Sequence, residues 1–206
     1  MAGTAPPAAS TVPHPRHPSD PRAGQPGRLR HWYENDLGWA TVPPSPGEPL
    51  RLVTGVRFDV LEVPARAGVR ALRHLAPGSP VALQGVRARL LVAAGSAEEL
   101  PGLLDWLEWG TAALDLDLRA LGAGDAMDAP ARPGPDTPVQ GAALWLRPPE
   151  SGCEVEASLP TLSAMGGLGG APDLVRLVNT VATECHRIRL RRADQGPQHG
   201  QALASS

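Results

Sequence analysis

The residues best suited to chemistry in this chain are carboxylates set into apolar runs. Residues 57–64 read Arg-Phe-Asp-Val-Leu-Glu-Val-Pro, which predicts a buried strand carrying Asp59 and Glu62 and ending in acid. Acids clustered at strand ends can hold two divalent cations ~3.5–4 Å apart, the arrangement that drives phosphoryl transfer. Two positions after Glu62 stands Pro64, and a pyrrolidine ring offers Mg²⁺ no oxygen ligand. Asp59 and Glu62 are three apart, so on a regular strand they face opposite ways, and only a β-bulge would unite them. Asp115 and Asp117 form a second pair in a run, 112–118, that alternates apolar and acidic residues. That alternation predicts a half-buried strand with both carboxylates on one face, either sharing a cation or forming the solvated side of an edge strand.

Other groups carry weaker signals. Arg187, Arg189, Arg191 and Arg192 crowd the end of a predicted helix, where they either touch nucleic-acid phosphates or stabilise the helix C-terminus. Cys185 and His186 are adjacent, and neighbours on a helix diverge too far to act as nucleophile and base. Trp106 and Trp109, three apart, read as core, or as a patch for bases or a partner. The stretch 166–170, Gly-Gly-Leu-Gly-Gly, is followed by no Lys, which excludes a P-loop and leaves a hinge. Asp125 and Asp128 lack the ligand spacing of a calcium loop. His14 and His17 fall in a proline-rich stretch and read as a solvated tail.

Positioning these residues requires a sheet with helices packed on it. Seven prolines in residues 1–28 predict a disordered tail. A short helix over 29–36 leads to strands at 39–42, 50–54 and 56–63. Pro64 suits N1 of a helix running to Ala76, with Val69, Leu72 and Leu75 on its inner face. Strands at 80–83 and 89–93 pair around Gly85. Ser96 with Glu99 reads as a capping box opening a helix to Gly110. Residues 122–140 read as an exposed loop, 141–146 as a strand, and 172–190 as an amphipathic helix whose buried face holds Leu174, Leu177, Val178, Val181, Cys185 and Ile188. The irregular order predicts an α+β (mixed α/β) fold, a twisted mixed sheet with packed helices. The expected divisions are a tail at 1–28, a domain at 29–150, a loop and packing helix at 151–192, and a loose tail at 193–206.

The composition narrows the class further. A hydrophobic share of 42% in 206 residues supports a core. All 19 basic residues are Arg, with no Lys and one Ile, a bias of GC-rich codons that points to an actinobacterial genome. A net charge of −2 gives no overall attraction to nucleic acid. Cys153 and Cys185 are too few for a metal motif, and a disulfide between them stays open. No run approaches the ~18 apolar residues of a membrane span, so no membrane partner and a cytoplasmic location are expected.

The order of these pieces resembles the N-terminal domain of bifunctional DNA primase/polymerases, in the archaeo-eukaryotic primase superfamily. Gly38-Trp39 running to Val42-Pro43, the stretch from Leu52 through Gly55 to Glu62, and Leu116-Asp117-Leu118-Arg119 followed by Ala129-Pro130 carry the likeness, over residues 29–150. The resemblance implies a metal-binding acid pair, a histidine that contacts the incoming nucleotide, and a third acid. Glu62 stands at the first acid, Pro64 at the second, Arg89 near the histidine and Asp117 at the third. The likeness therefore implies a degenerate, non-catalytic domain with a binding or regulatory role and no cofactor. An active nucleotidyltransferase would instead use Mg or Mn on Asp59 or Glu62 with Asp115 or Asp117. An adaptor unrelated to nucleic acid is the third reading. The partner stays open between nucleic acid or nucleotide and another protein.

Overall fold

The computed structural model describes residues 24–45, 47–110, 115–134, 141–152, 154–162 and 172–194. The expected terminal tails, with His14 and His17, lie largely outside the described residues, as do Cys153 and the glycine-rich stretch 166–170. Within them the fold is α+β, with helices and two antiparallel sheets. One sheet has five strands in the order β6-β3-β5-β4-β8, namely Arg119–Leu121, Asp59–Pro64, Arg87–Val92, Val81–Gln84 and Leu144–Arg147. The other has three, β1 (Thr41–Val42), β2 (Arg51–Val53) and β7 (Ala126–Asp128). Every pairing between these strands is antiparallel, so the expectation of a mixed sheet is corrected. Short connections such as the Gly85-Val86 turn between β4 and β5 favour this arrangement, because a parallel pair needs a long crossover.

The five-stranded sheet is covered on both sides. Leu61, Val63, Ala88, Leu90 and Val92 face a core shared with three helices, α2 (Ala65–Ala71), α3 (Ser96–Trp106) and α4 (Leu174–Asp194). Val60, Ala82, Leu91 and Leu121 face a second core with Leu52 and Met127 of the small sheet and the aromatic rings of Trp32, Tyr33, Trp39 and Phe58. α1 (Gln25–His31) and the wider helical turn Trp32–Asp36 deliver the first two of those rings. The period of two along β3 and β5 sends alternate residues to the two cores. Tyr33 is locked there: its hydroxyl donates to the Pro130 carbonyl at 2.7 Å and accepts from Trp145 Nε1 at 3.0 Å.

α4 follows the sequence pattern closely. Leu174, Leu177, Val178, Val181 and Cys185 are buried, each apolar side chain contributing roughly 1.5–3 kcal/mol by its burial. Asp173 caps it, Oδ1 accepting from the Val175 amide at 2.8 Å. The other elements depart from expectation in instructive ways. Pro64 is the last residue of β3 and the N-cap of α2 rather than N1. α2 stops at Ala71 and tightens into the 3-10 turn Leu72–His74. Its inner face is Ala67, Gly68 and Ala71, while Val69 is exposed, because the helix lies too close to β5 for larger side chains. The Ser96–Glu99 capping box does not form: the Ser96 amide is taken by the Ala93 carbonyl, and Gly95, in the left-handed region at φ 91°, is the N-cap. α3 ends at Trp106, short of Gly110.

Two expectations about strands fail outright. Of the run 112–118, residues 115–118 are described, and Asp115 to Asp117 form a tight bend; the strand begins only at Arg119. Burying Leu116 in the helical core, while both flanking acids stay exposed, is achieved by the bend instead. The expected loop 122–140 contains β7, whose Met127 is fully buried opposite Leu52. A lone apolar residue among acids gives no local strand signal, and its partner is far away in sequence.

The α2–β5 approach makes a sign reversal testable. A methyl group at Gly68 would sit 2.4 Å from Ala88 Cβ. Gly→Ala in an open helix gains about 1 kcal/mol, whereas Gly68→Ala is expected to cost about 1–3 kcal/mol through overpacking. Urea denaturation measures it, and an unchanged or raised midpoint would refute the close contact.

Candidate functional site

Glu62 is the only carboxylate on β3 that reaches other charged side chains, and what it meets is arginine. Its cross-strand partners are Arg89 on β5 and Arg119 on β6. Opposite charges facing each other across a ladder attract. Arg89 Nε lies 3.0 Å from Glu62 Oε2, and Arg87 Nε lies 3.3 Å from Oε1. Arg87 then extends to the bend before β6, where Nη1 pairs with Asp117 Oδ1 and Nη2 donates to the Glu62 carbonyl at 3.1 Å. One guanidinium thus bridges Glu62 and Asp117, the two acids that the expected resemblance would set at the first and third metal-ligand positions. The Glu62 and Arg89 side chains are only 18% and 11% exposed, so each depends on the other to offset desolvation.

The remaining acids are placed elsewhere. Asp59 is buried on the helical side, with Oδ2 accepting from the Ala97 amide at 2.8 Å. It serves as the tertiary cap of α3, a carboxylate at the positive end of a helix. Burial raises its pKa above the ordinary carboxylate value, against the opposing pull of the Ala97, Gly95 and Gly55 amides. The β3–β5 register runs unbroken from Asp59↔Val92 to Pro64↔Arg87, so no bulge joins Asp59 to Glu62. Asp115 and Asp117 do not share a strand face. Asp115 pairs with Arg189 at 2.8 Å and Asp117 with Arg192 at 3.7 Å as well as with Arg87. Among the described residues, no three His, Cys, Asp or Glu side chains converge as a metal site.

These pairs also account for most of the basic cluster on α4. Arg187 pairs with Glu184 at 2.7 Å, and Arg189 and Arg192 reach the 115–117 bend. Arg191 makes no ion pair among the described residues. Most of the cluster's positive charge is thus spent on the chain's own acids. The exposed pairs themselves are worth about 0–1 kcal/mol each. Cys185 is buried and its thiol is pushed up to about 12, chiefly by burial. His186 stacks edge-on to Trp109 at 5.9 Å. The two form no nucleophilic pair. In the 122–128 segment, Asp128 accepts from Gln84 Nε2 at 2.9 Å and Asp125 from the Gly122 amide at 3.2 Å, so neither joins a calcium loop.

Trp106 and Trp109 separate. Trp109 packs against the helical core, whereas Trp106 is 65% exposed. It borders an apolar groove of about 530 Å³ with Gly102, Leu103, Leu162 and Val175. The expectation of a joint core pair is corrected for Trp106. No helix among the described residues is long and apolar enough to cross a membrane. Arg87 is the site residue that sequence reading overlooked. Its signal was the alternation Arg87-Ala88-Arg89 beside an acid-bearing strand, and only the register shows which acid it meets.

Two measurements follow. In a double-mutant cycle, Arg89→Met is expected to cost about 2–4 kcal/mol by stranding Glu62. Combined with Glu62→Gln the loss should be at least 1 kcal/mol less than additive. Additive losses in urea denaturation would rule out the pairing. For Asp59, the folded state holds its proton more tightly than the unfolded chain, so this group's contribution to stability is present at low pH and is lost as pH rises through its folded pKa. The stability difference between wild type and Asp59→Asn should therefore shift towards wild type as pH falls from 7 into the window just above the ordinary carboxylate range. A difference flat with pH would show that burial does not perturb the group.

Comparison with protein families, with curated proteins and with solved structures finds no match to this chain.

Proposed function

We propose that this chain is a non-catalytic domain of the primase/polymerase-like kind, with a binding or regulatory role in place of nucleotidyl transfer. The observation that carries the reading is the Arg87 guanidinium lying between Glu62 and Asp117, with Arg89 closing the other side of Glu62. Two-metal catalysis needs carboxylates free to hold two cations close together. Here the acids in question are already neutralised by side-chain cations that cannot activate a nucleotide hydroxyl as a metal does. Pro64 ends β3 and starts α2, a structural role that supports the same reading. The likeness to primase/polymerase domains rests on the order of the motifs along residues 29–150.

An adaptor role is the second reading, favoured by exposed Trp106 beside its groove. The apolar stripe of α4 is not available for it, being buried on the domain. Exposed tryptophans beside apolar grooves commonly anchor protein partners.

A primer-synthesis assay on single-stranded DNA with Mg²⁺ or Mn²⁺ tests the first reading. The expected result is no nucleotide incorporation above the level of the Asp117→Ala protein. Incorporation that Asp117→Ala abolishes would overturn it. Oligonucleotide binding measured against salt then separates the partners. A steep loss of affinity with salt marks a nucleic-acid module, and none is expected of an adaptor.

A further inference from the structure

A second charged site, sharing no residue with that of Glu62, lies where the 3-10 turn after α2 meets the first turn of α4. A cavity of about 350 Å³ opens there, walled by Arg73, His74, Leu75, Ala76, Pro172, Asp173 and Arg176. Its charged groups are two arginines and one carboxylate. Asp173 is already committed: Oδ1 caps α4 through the Val175 amide, and Oδ2 lies 3.4 Å from Arg176 Nε. Arg73 makes no ion pair among the described residues, and its Nε donates to His74 Nε2 at 3.0 Å. Thr180 Oγ1 lies 2.9 Å from the same ring nitrogen. Because Arg73 can only donate, Nε2 must accept, and His74 is held neutral with its proton on Nδ1. The pocket therefore carries surplus positive charge and a histidine that its surroundings keep uncharged.

We propose that this pocket binds a phosphate-type oxyanion, with Arg73 and Arg176 supplying charge and His74 a donor that appears when the anion arrives. Arginine forks match the oxygens of phosphate. An anion that draws the Arg73 guanidinium towards itself frees Nε2 from that donor, so the ring can take a proton and donate in turn. The ring's pKa lies below its ordinary value, first through burial and then through Arg73 and Arg176, with Asp173 opposing. An added anion reverses the electrostatic part of that balance. By linkage, the anion binds more tightly to the protonated form and raises the histidine's pKa by the same factor. This inference does not rest on the reading of the Glu62 site, since the two share no residue.

The test is a proton NMR titration of the imidazole resonances in the full chain, at constant ionic strength, in chloride and in inorganic phosphate. The His74→Gln protein assigns the resonance. The expected result is a saturable upward shift of the His74 midpoint by about one unit, equal to about tenfold tighter phosphate binding to the charged ring. Arg73→Gln combined with Arg176→Gln should abolish it. Both changes are on exposed side chains, so folding is not at stake, and dispersed NMR spectra check this. A midpoint equal in chloride and phosphate, or a shift that survives the double substitution, overturns the proposal. Phenyl phosphate separates the two sources of such a group: binding tighter than that of inorganic phosphate marks a phosphomonoester, and equal or weaker binding marks the free ion.

Discussion

β3 is covered on both faces, and two of its six residues are carboxylates. A charge taken out of water must be neutralised or hydrogen-bonded, or it costs several kcal/mol. The structure meets that constraint differently on the two sides. On the helical side, Asp59 is held by backbone amides at the start of α3. On the other side, Glu62 is held by guanidinium groups from β5. Each solution ties this interior strand to a neighbour: Asp59 orients α3, and Glu62 links β3, β5 and, through Arg87 and Asp117, the bend before β6. The position of α4 is reinforced from the same bend by Arg189 and Arg192.

The close approach of α2 to β5 has the same character. It is possible only because the facing residues are Gly68 and Ala88, and it brings the end of α2 to the start of α4. That meeting creates the Arg73–His74–Arg176 cavity. On the opposite side of the sheet, the aromatic layer does the work of a second core with few residues. Trp39 contacts Tyr33, Phe58 and Trp145 within about the spacing favoured by aromatic rings. A chain poor in isoleucine and aromatics thus concentrates its large rings where the small sheet needs them.

Chemically, the sheet end that invites a metal reading is an ion-pair network. A divalent cation and a guanidinium both satisfy clustered carboxylates, but only the first polarises a phosphate and activates a nucleophile. The difference lies in Arg87 and Arg89, of which only Arg89 stands at a position that the resemblance singles out.

Much was legible from residue order alone. The apolar period of α4, the β4–β5 hairpin at Gly85 and the run ending at Pro64 are local patterns, and local patterns carry helix and strand periodicity directly. The three-apart spacing of Asp59 and Glu62 also foretold their opposite faces, since strand geometry allows nothing else without a bulge. What the order of residues could not carry was register and closeness. β7 is a strand because Met127 lies opposite Leu52, and the 115–117 segment bends because Leu116 must reach the helical core. Ser96 loses its capping role because the Ala93 carbonyl takes its amide while a carboxylate from β3 reaches the Ala97 amide beside it. The partner of Glu62 is likewise a matter of which arginine the ladder places opposite it. Such choices depend on contacts between residues tens of positions apart, and only the folded chain brings those residues together.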